Sequence, residues 1–238
     1  MTDSTALVLS VENVTSGYGK KIIIKDISLW VESGEVVAII GHNGSGKSTL
    51  LRTVFGFLPV LRGEIKIQGI PRGLAPWEMV AHGVAYVPQG NRVFRDLTVM
   101  ENLEVGRSLE SPGKHRDGGL DRVFNLFPIL KTQLTRRART LSGGEQQILA
   151  LAKVFLLSPR LLLIDEPSLG LAQPLVKDTL ARIRDAALTI GTSVLIVEQR
   201  VREVMRIADR VYVFRNGQVS FCGARGTLDE ATLKEAYL

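Results

Sequence analysis

The sequence predicts an α/β protein: a parallel-sheet core joined to an antiparallel β subdomain and interrupted by an inserted helical subdomain. Three observations carry this prediction. The runs "EVVAII" (35–40), "RLLLIDE" (160–166) and "TSVLIVE" (192–198) are continuous apolar stretches bounded by polar or turn residues, as central parallel strands covered on both faces should be. Helical patterns separate them, as βαβ connections require. Near the start the pattern instead alternates between apolar and polar residues, which marks half-buried antiparallel strands.

In chain order, "LVLSVENV" (7–14) and "ISLWV" (27–31) supply the alternating strands, and "GEIKIQG" (63–69) adds another. The first helix reads in "GKSTLLRTVFGFL" (46–58), after "EVVAII" and a short glycine-rich loop. From about Gly90 to Ser158 the pattern is mainly helical, in "LTVMENLEVG" (97–106), "LDRVFNLFPIL" (120–130) and "SGGEQQILALAKVFLL" (142–157), with a polar loop "SPGKHRDGG" (111–119). A further helix reads in "PLVKDTLARIRDAA" (174–187). "RVYVFRNGQVSF" (210–221) then pairs two short strands around Asn216-Gly217, a type I′ hairpin signal. "TLDE" (227–230) matches a capping box for a last helix. The expected organisation is one domain over 1–238, with the α/β core and β subdomain in 1–89 and 159–238 and the helical subdomain in 90–158.

With 238 residues and 45% of them hydrophobic, the chain can bury a substantial core. The formal charge of +6 is scattered apart from Arg136, Arg137 and Arg139, so it reads as a solvated face and no nucleic-acid partner is expected. A single cysteine, Cys222, excludes an internal disulfide and is expected to be a small buried hydrophobe near a strand end. "MTDSTALVLS" does not read as a signal peptide, and "VFLLSPRLLLI" (154–164) is broken by Ser158, Pro159 and Arg160. A membrane role would therefore come through a partner.

The chemistry begins at "GHNGSGKS", Gly41 to Ser48, which fits G-x-x-x-x-G-K-[ST] between a buried strand and a helix. This makes the predicted core a P-loop NTPase sheet of the RecA-like kind. Gly41, His42, Asn43, Gly44, Ser45 and Gly46 would curl their backbone N–H groups around phosphate, and Lys47, Ser48 and Thr49 open the helix whose N-terminus favours an anion. Lys47 would bridge the β and γ phosphates of ATP, and the Ser48 hydroxyl would hold Mg²⁺. His42 is expected to face solvent. At the carboxyl end of "LLLIDE" (161–166), Asp165 can hold Mg²⁺ through water, and Glu166 can act as general base on an attacking water.

"LSGGEQQ", Leu141 to Gln147, narrows the reading, because its glycines and serine open a second anion-binding helix. The sequence here resembles the ATP-binding-cassette (ABC) ATPases, whose motifs occur in the same order along essentially the whole chain. The resemblance implies that Ser142, Gly143 and Gly144 reach across a head-to-tail dimer of ATPase subunits, identical or different, to the γ-phosphate on the partner's loop. It implies that Tyr18, in "SGYGK", stacks on adenine, although a tyrosine beside glycines serves equally as hairpin packing. It also implies that Gln89, in "VPQGN", contacts Mg²⁺ and the attacking water; alone, it would read as an ordinary loop amide.

"VPQGNRVFRDLTVMENLEVG" and "DEPSLGLAQPLV" look like the ATPase subunits of branched-chain amino acid importers, with similar stretches in urea and amide importers. That resemblance implies transport of such solutes, at the cytoplasmic face of the cell membrane, through permease subunits received in the groove near Gln89–Leu97. Val93, Phe94, Arg95 and Leu97 suit such a socket and equally suit packing between subdomains. Two residues depart from the family pattern. Leu171 stands where an aspartate is common, and Gln199, in "IVEQR", stands where the family has a histidine against the γ-phosphate. Glutamine cannot carry charge but keeps a donor and an acceptor. The reading is an active ATPase with Lys47, Glu166 and Gln199 at the reacting centre; the alternative is a non-hydrolysing, nucleotide-gated subunit beside a catalytic partner.

Overall fold

The computed structural model describes residues 6–90, 92–108 and 119–227. The chain begins with a long hairpin, β1 (Leu7–Tyr18) and β2 (Lys21–Glu32), whose alternation predicts one covered face. With β4 (Arg62–Ile67) these form an antiparallel sheet in the order β2-β1-β4. The second sheet has six strands in the order β5-β6-β7-β3-β8-β9, made by β3 (Val36–Gly41), β5 (Val84–Val87), β6 (Leu161–Asp165), β7 (Ser193–Glu198), β8 (Arg210–Arg215) and β9 (Gln218–Ala224). The first five are parallel, and only β9 runs antiparallel, against β8.

Every residue of β3, β6 and β7 is buried, which explains their unbroken apolar composition. Successive side chains serve opposite faces. Val36, Ala38, Ile40, Leu162 and Ile164 pack on one side with α6 (Gly143–Leu156) and α7 (Gln173–Ile190). Val37, Ile39, Leu161 and Leu163 pack on the other with α1 (Lys47–Val54) and the β1–β2 hairpin.

Between β5 and β6 lie α3 (Val99–Arg107), α4 (Gly119–Leu126), α5 (Pro128–Lys131) and α6. The single periodic run at 120–130 forms two helices because Pro128 forces Phe127 out of helical geometry, to φ −129° and ψ 68°. Likewise α1 stops at Val54, since Gly56 takes the left-handed turn at φ +87°. Asn216 and Gly217 both have positive φ, as the type I′ hairpin demands. Three short elements carry weak sequence signals: α2 (Pro76–Ala81), α8 (Val201–Val204) and β5.

Cys222 corrects an expectation, being exposed and free rather than buried. β9 ends its sheet with residues 218, 220, 222 and 224 in the exposed register, and Cys222 falls in it. Of "TLDE", Thr227 closes a 3₁₀ turn over Arg225–Thr227, and the remainder lies outside the described residues, as do Asn91 and most of the polar loop at 111–119. Among the described residues, no helix is long and apolar enough to cross a membrane.

Candidate active site

The carboxyl ends of β3, β6 and β7 gather the chemistry at one sheet edge, as the topology of open α/β sheets favours. β3 delivers Gly41, and the loop then curls into α1 through Gly46, whose φ of +101° and close approach to the Ile24 side chain exclude any Cβ. The amide of Gly217, in the β8–β9 turn, donates to the carbonyl of Ser45 at 3.0 Å and braces the loop from behind.

This loop fits a phosphate chain on two counts. α1 has no side-chain cap, so its first N–H groups remain available to an anion. The Ser45 hydroxyl is buried and has no hydrogen-bond partner among the described residues. Lys47 is buried and donates to the carbonyls of Gly41 at 2.8 Å and His42 at 2.9 Å. Burial pulls its ammonium pKa below the ordinary lysine value, against the opposing pull of Glu166, Asp165 and Glu198. Its Nζ is 4.0 Å from Glu166 Oε1. His42 and Asn43 are exposed, whereas Thr49 is buried in the first turn of α1.

Asp165 has both oxygens engaged. Its Oδ1 accepts the Ser48 hydroxyl at 2.7 Å, and its Oδ2 accepts the Tyr86 hydroxyl at 3.1 Å. Burial raises its pKa, partly offset by those two hydrogen bonds. Glu166 follows at φ +48°, a left-handed conformation that costs a non-glycine residue on the order of 1 kcal/mol or more and turns its carboxylate out of the strand into the site. Gln199 Nε2 donates to its Oε1 at 2.6 Å and Gln89 Nε2 to its Oε2 at 3.0 Å. Two neutral amides therefore fix both oxygens of a buried carboxylate.

The backbone beneath is tied by Glu198, which the sequence reading did not single out. Its buried carboxylate accepts the Ser168 N–H at 2.9 Å, the Ser168 hydroxyl at 2.8 Å and the Gln199 N–H at 3.1 Å. One side chain thus joins the loop after Glu166 to the loop carrying Gln199. Tyr86 and Arg52 were also missed. The Arg52 guanidinium donates to the Tyr18 hydroxyl at 2.9 Å and reaches the Tyr86 hydroxyl. Only the sheet pairing points to Tyr86: "VAYV" is a short apolar run without alternation, and Tyr86 lies beside Leu163 of β6, two residues before Asp165.

Tyr18 ends β1 and remains 44% exposed, so its ring face is accessible. Ser142 caps α6, its hydroxyl accepting from the Glu145 N–H while the Glu145 carboxylate accepts the Ser142 N–H. Gly143 is exposed at the same helix start; at Gly144 a Cβ would stand 2.8 Å from Leu175 Cδ1. These three residues thus sit on a separate element from the cluster around Glu166. Leu171 points its side chain into the core, and its carbonyl accepts Arg200 Nη2 at 3.0 Å. Phe94 is half exposed with the Lys153 ammonium 4.4 Å from its ring centre, Arg95 is exposed, and Val93 and Leu97 are partly buried.

A family model described as ABC transporter matches residues 24–169. The chain is 40% identical over 234 residues to the high-affinity branched-chain amino acid transport ATP-binding protein BraG of Pseudomonas aeruginosa, covering 97% of this chain and 99% of that one. It is 33% identical to the probable branched-chain amino acid transport ATP-binding protein LivF of Archaeoglobus fulgidus, with 94% of each chain covered. Among solved structures, the ADP conformation of an ATP-binding cassette of an ABC transporter superposes with a TM-score of 0.79 at 29% identity, covering 97% of this chain and 94% of that one. A phosphate loop, a paired strand-end aspartate and glutamate, and a capped signature helix on one cassette fold lead to one conclusion: the chain belongs to the ABC transporter family, as one of its ATP-binding ATPase subunits.

Proposed function

We propose that this chain hydrolyses ATP to power import of branched-chain amino acids or related small solutes, with Glu166 as general base. The observation that carries the catalytic part is the double hold on Glu166 by Gln89 and Gln199, beside Lys47 on the phosphate loop. A general base must aim its lone pair at the proton it removes, and two fixed donors restrict the carboxylate to one orientation. The identity to branched-chain amino acid transport proteins supports the solute class.

In this reading, residues 41–49 hold the phosphates of ATP, Tyr18 stacks on adenine, and Ser48, Asp165 and Gln89 hold Mg²⁺. The ion, when bound, neutralises charge on the phosphates. Gln199 adds no positive charge at the γ-phosphate, so charge stabilisation within the chain falls to Lys47, while Gln199 orients. Ser142, Gly143 and Gly144 complete the site of a second ATPase subunit in a head-to-tail dimer. Closure by ATP and reopening after hydrolysis would then drive permease subunits seated on the groove near Gln89–Leu97, at the cytoplasmic face of the membrane. We assign the α/β core with its β subdomain to 1–89 and 159–238, and the helical subdomain to 90–158.

The direct test is uptake of radiolabelled leucine into vesicles holding the complex purified through this chain. ATP-dependent uptake is expected, and it should disappear with Lys47→Ala. Uptake of another solute with no leucine transport would overturn the solute class but leave the ATPase assignment intact.

A further inference from the structure

We propose that Arg52 and Tyr86 are positioning residues that link the base end of the nucleotide site, at Tyr18, to its metal end, at Asp165. The proposal rests on the reading above, that ATP and a divalent cation bind here, and extends it to residues outside the motifs.

A continuous polar chain runs across the site. Arg52 Nη1 donates to the Tyr18 hydroxyl, the same guanidinium reaches the Tyr86 hydroxyl, Tyr86 donates to Asp165 Oδ2, and Asp165 Oδ1 accepts from Ser48. The fold dictates this alignment. Ser48 and Arg52 are four residues apart on α1 and therefore share a face. Tyr86 pairs with Leu163 in the parallel β5–β6 ladder, two residues before Asp165, so Tyr86 and Asp165 project to one side of the sheet.

The Tyr86 ring has little freedom. It stacks on Phe55 at 5.4 Å between centroids and meets Phe57 edge-on at 5.6 Å. Its hydroxyl is aimed at the strand-end carboxylate and donates to Asp165 Oδ2 at 3.1 Å. That donation occupies the oxygen Ser48 leaves open and fixes the plane of the carboxylate that would hold the cation. Arg52 in turn holds the edge of the Tyr18 ring by its hydrogen bond and sets its charge beside the phenol. Locking Tyr18 on a base would thus reduce the freedom of the same arginine that steadies the metal carboxylate.

The test uses the full chain and a non-hydrolysable ATP analogue with an imido bridge between its β and γ phosphates. Affinity is measured calorimetrically with Mg²⁺ and with EDTA, and the ratio of the two affinities reports the metal's contribution without turnover. Tyr86→Phe keeps the ring and removes only the hydroxyl. It should lower that ratio by about tenfold, at the weaker end of the effects of outer-shell partners on metal affinity, with binding in EDTA within about twofold of wild type. Tyr18→Phe keeps a stacking ring but releases Arg52. It should lower the ratio about two- to threefold, with no added effect on top of Tyr86→Phe, because one network carries both.

An unchanged ratio in Tyr86→Phe would overturn the proposal, as would equal loss in Mg²⁺ and EDTA or strict additivity of the two changes. Failure of the wild-type chain to bind the analogue under either condition would instead overturn the nucleotide reading on which the proposal rests.

Discussion

At the scale of single residues, the site is a set of buried charges, each with a desolvation cost. Asp165 shows this most clearly, because burial raises its pKa. For a group whose folded pKa is raised, the stabilising contribution is complete below its unfolded value and is lost as pH rises through the folded one. Asp165→Asn removes the ionised form. The nucleotide-free variant should therefore melt above wild type by roughly 2–4 °C at pH 8, the response of a domain this size to ~1 kcal/mol, with the gap closing as pH falls toward about 4. Differential scanning calorimetry across that range checks it; a gap independent of pH would remove desolvation of the carboxylate as the cause. Gln199 makes a different demand, because its amide reaches Glu166 at 2.6 Å yet cannot titrate. Gln199→Ala should lower kcat by about 100-fold and leave KM nearly unchanged, the pattern of a contact that matters chiefly in the transition state. Steady-state kinetics separate this from a binding role, which would raise KM instead.

Among the elements, legibility followed length and burial. β3, β6 and β7 read directly from the sequence, because strands buried on both faces have no polar positions to blur them. β5 did not, having four residues and lying at the sheet edge before the Gln89 loop, and its obscurity hid Tyr86 as well. The start of α6 was legible from the serine and glycines of "LSGGEQQ", and the structure adds the capping box between Ser142 and Glu145 that fixes it. By contrast, Glu198 offered no signal. Its role comes from contacts 30 residues away, with Ser168. The β8–β9 hairpin also does more than its sequence indicates, because its turn supports the phosphate loop. Gly217 has φ +76°, and a Cβ there would stand 2.2 Å from the Ile23 carbonyl. Gly217→Ala should destabilise the chain by at least ~2 kcal/mol in urea melts, through strain and steric overlap together. It should also weaken nucleotide binding, since the Gly217–Ser45 hydrogen bond carries the loop. Wild-type stability in that variant would show the hairpin to be movable.

For the whole molecule, the arrangement divides labour between two parts of the cassette. The sheet edge collects Lys47, Ser48, Asp165, Glu166, Gln89 and Gln199, while the signature residues sit at the head of α6. Such a division has a physical use if a second subunit brings its own helix start to this loop, which is the dimer proposed above. The family was legible from motif order, and the separation of the signature from the phosphate loop needed three dimensions. Leu171 illustrates the limit. The sequence showed only a missing polar side chain, whereas the fold shows that chain buried and its carbonyl bound to Arg200. The central claim is that this chain carries its own general base. It is tested most directly by Mg-ATP turnover of the purified chain at high protein concentration, with Glu166→Gln measured beside it. The account predicts phosphate release by the wild type and a loss of at least about 100-fold in the variant, with ATP binding retained. Equal turnover in the two proteins, or tight ATP binding without phosphate release by the wild type, would contradict it.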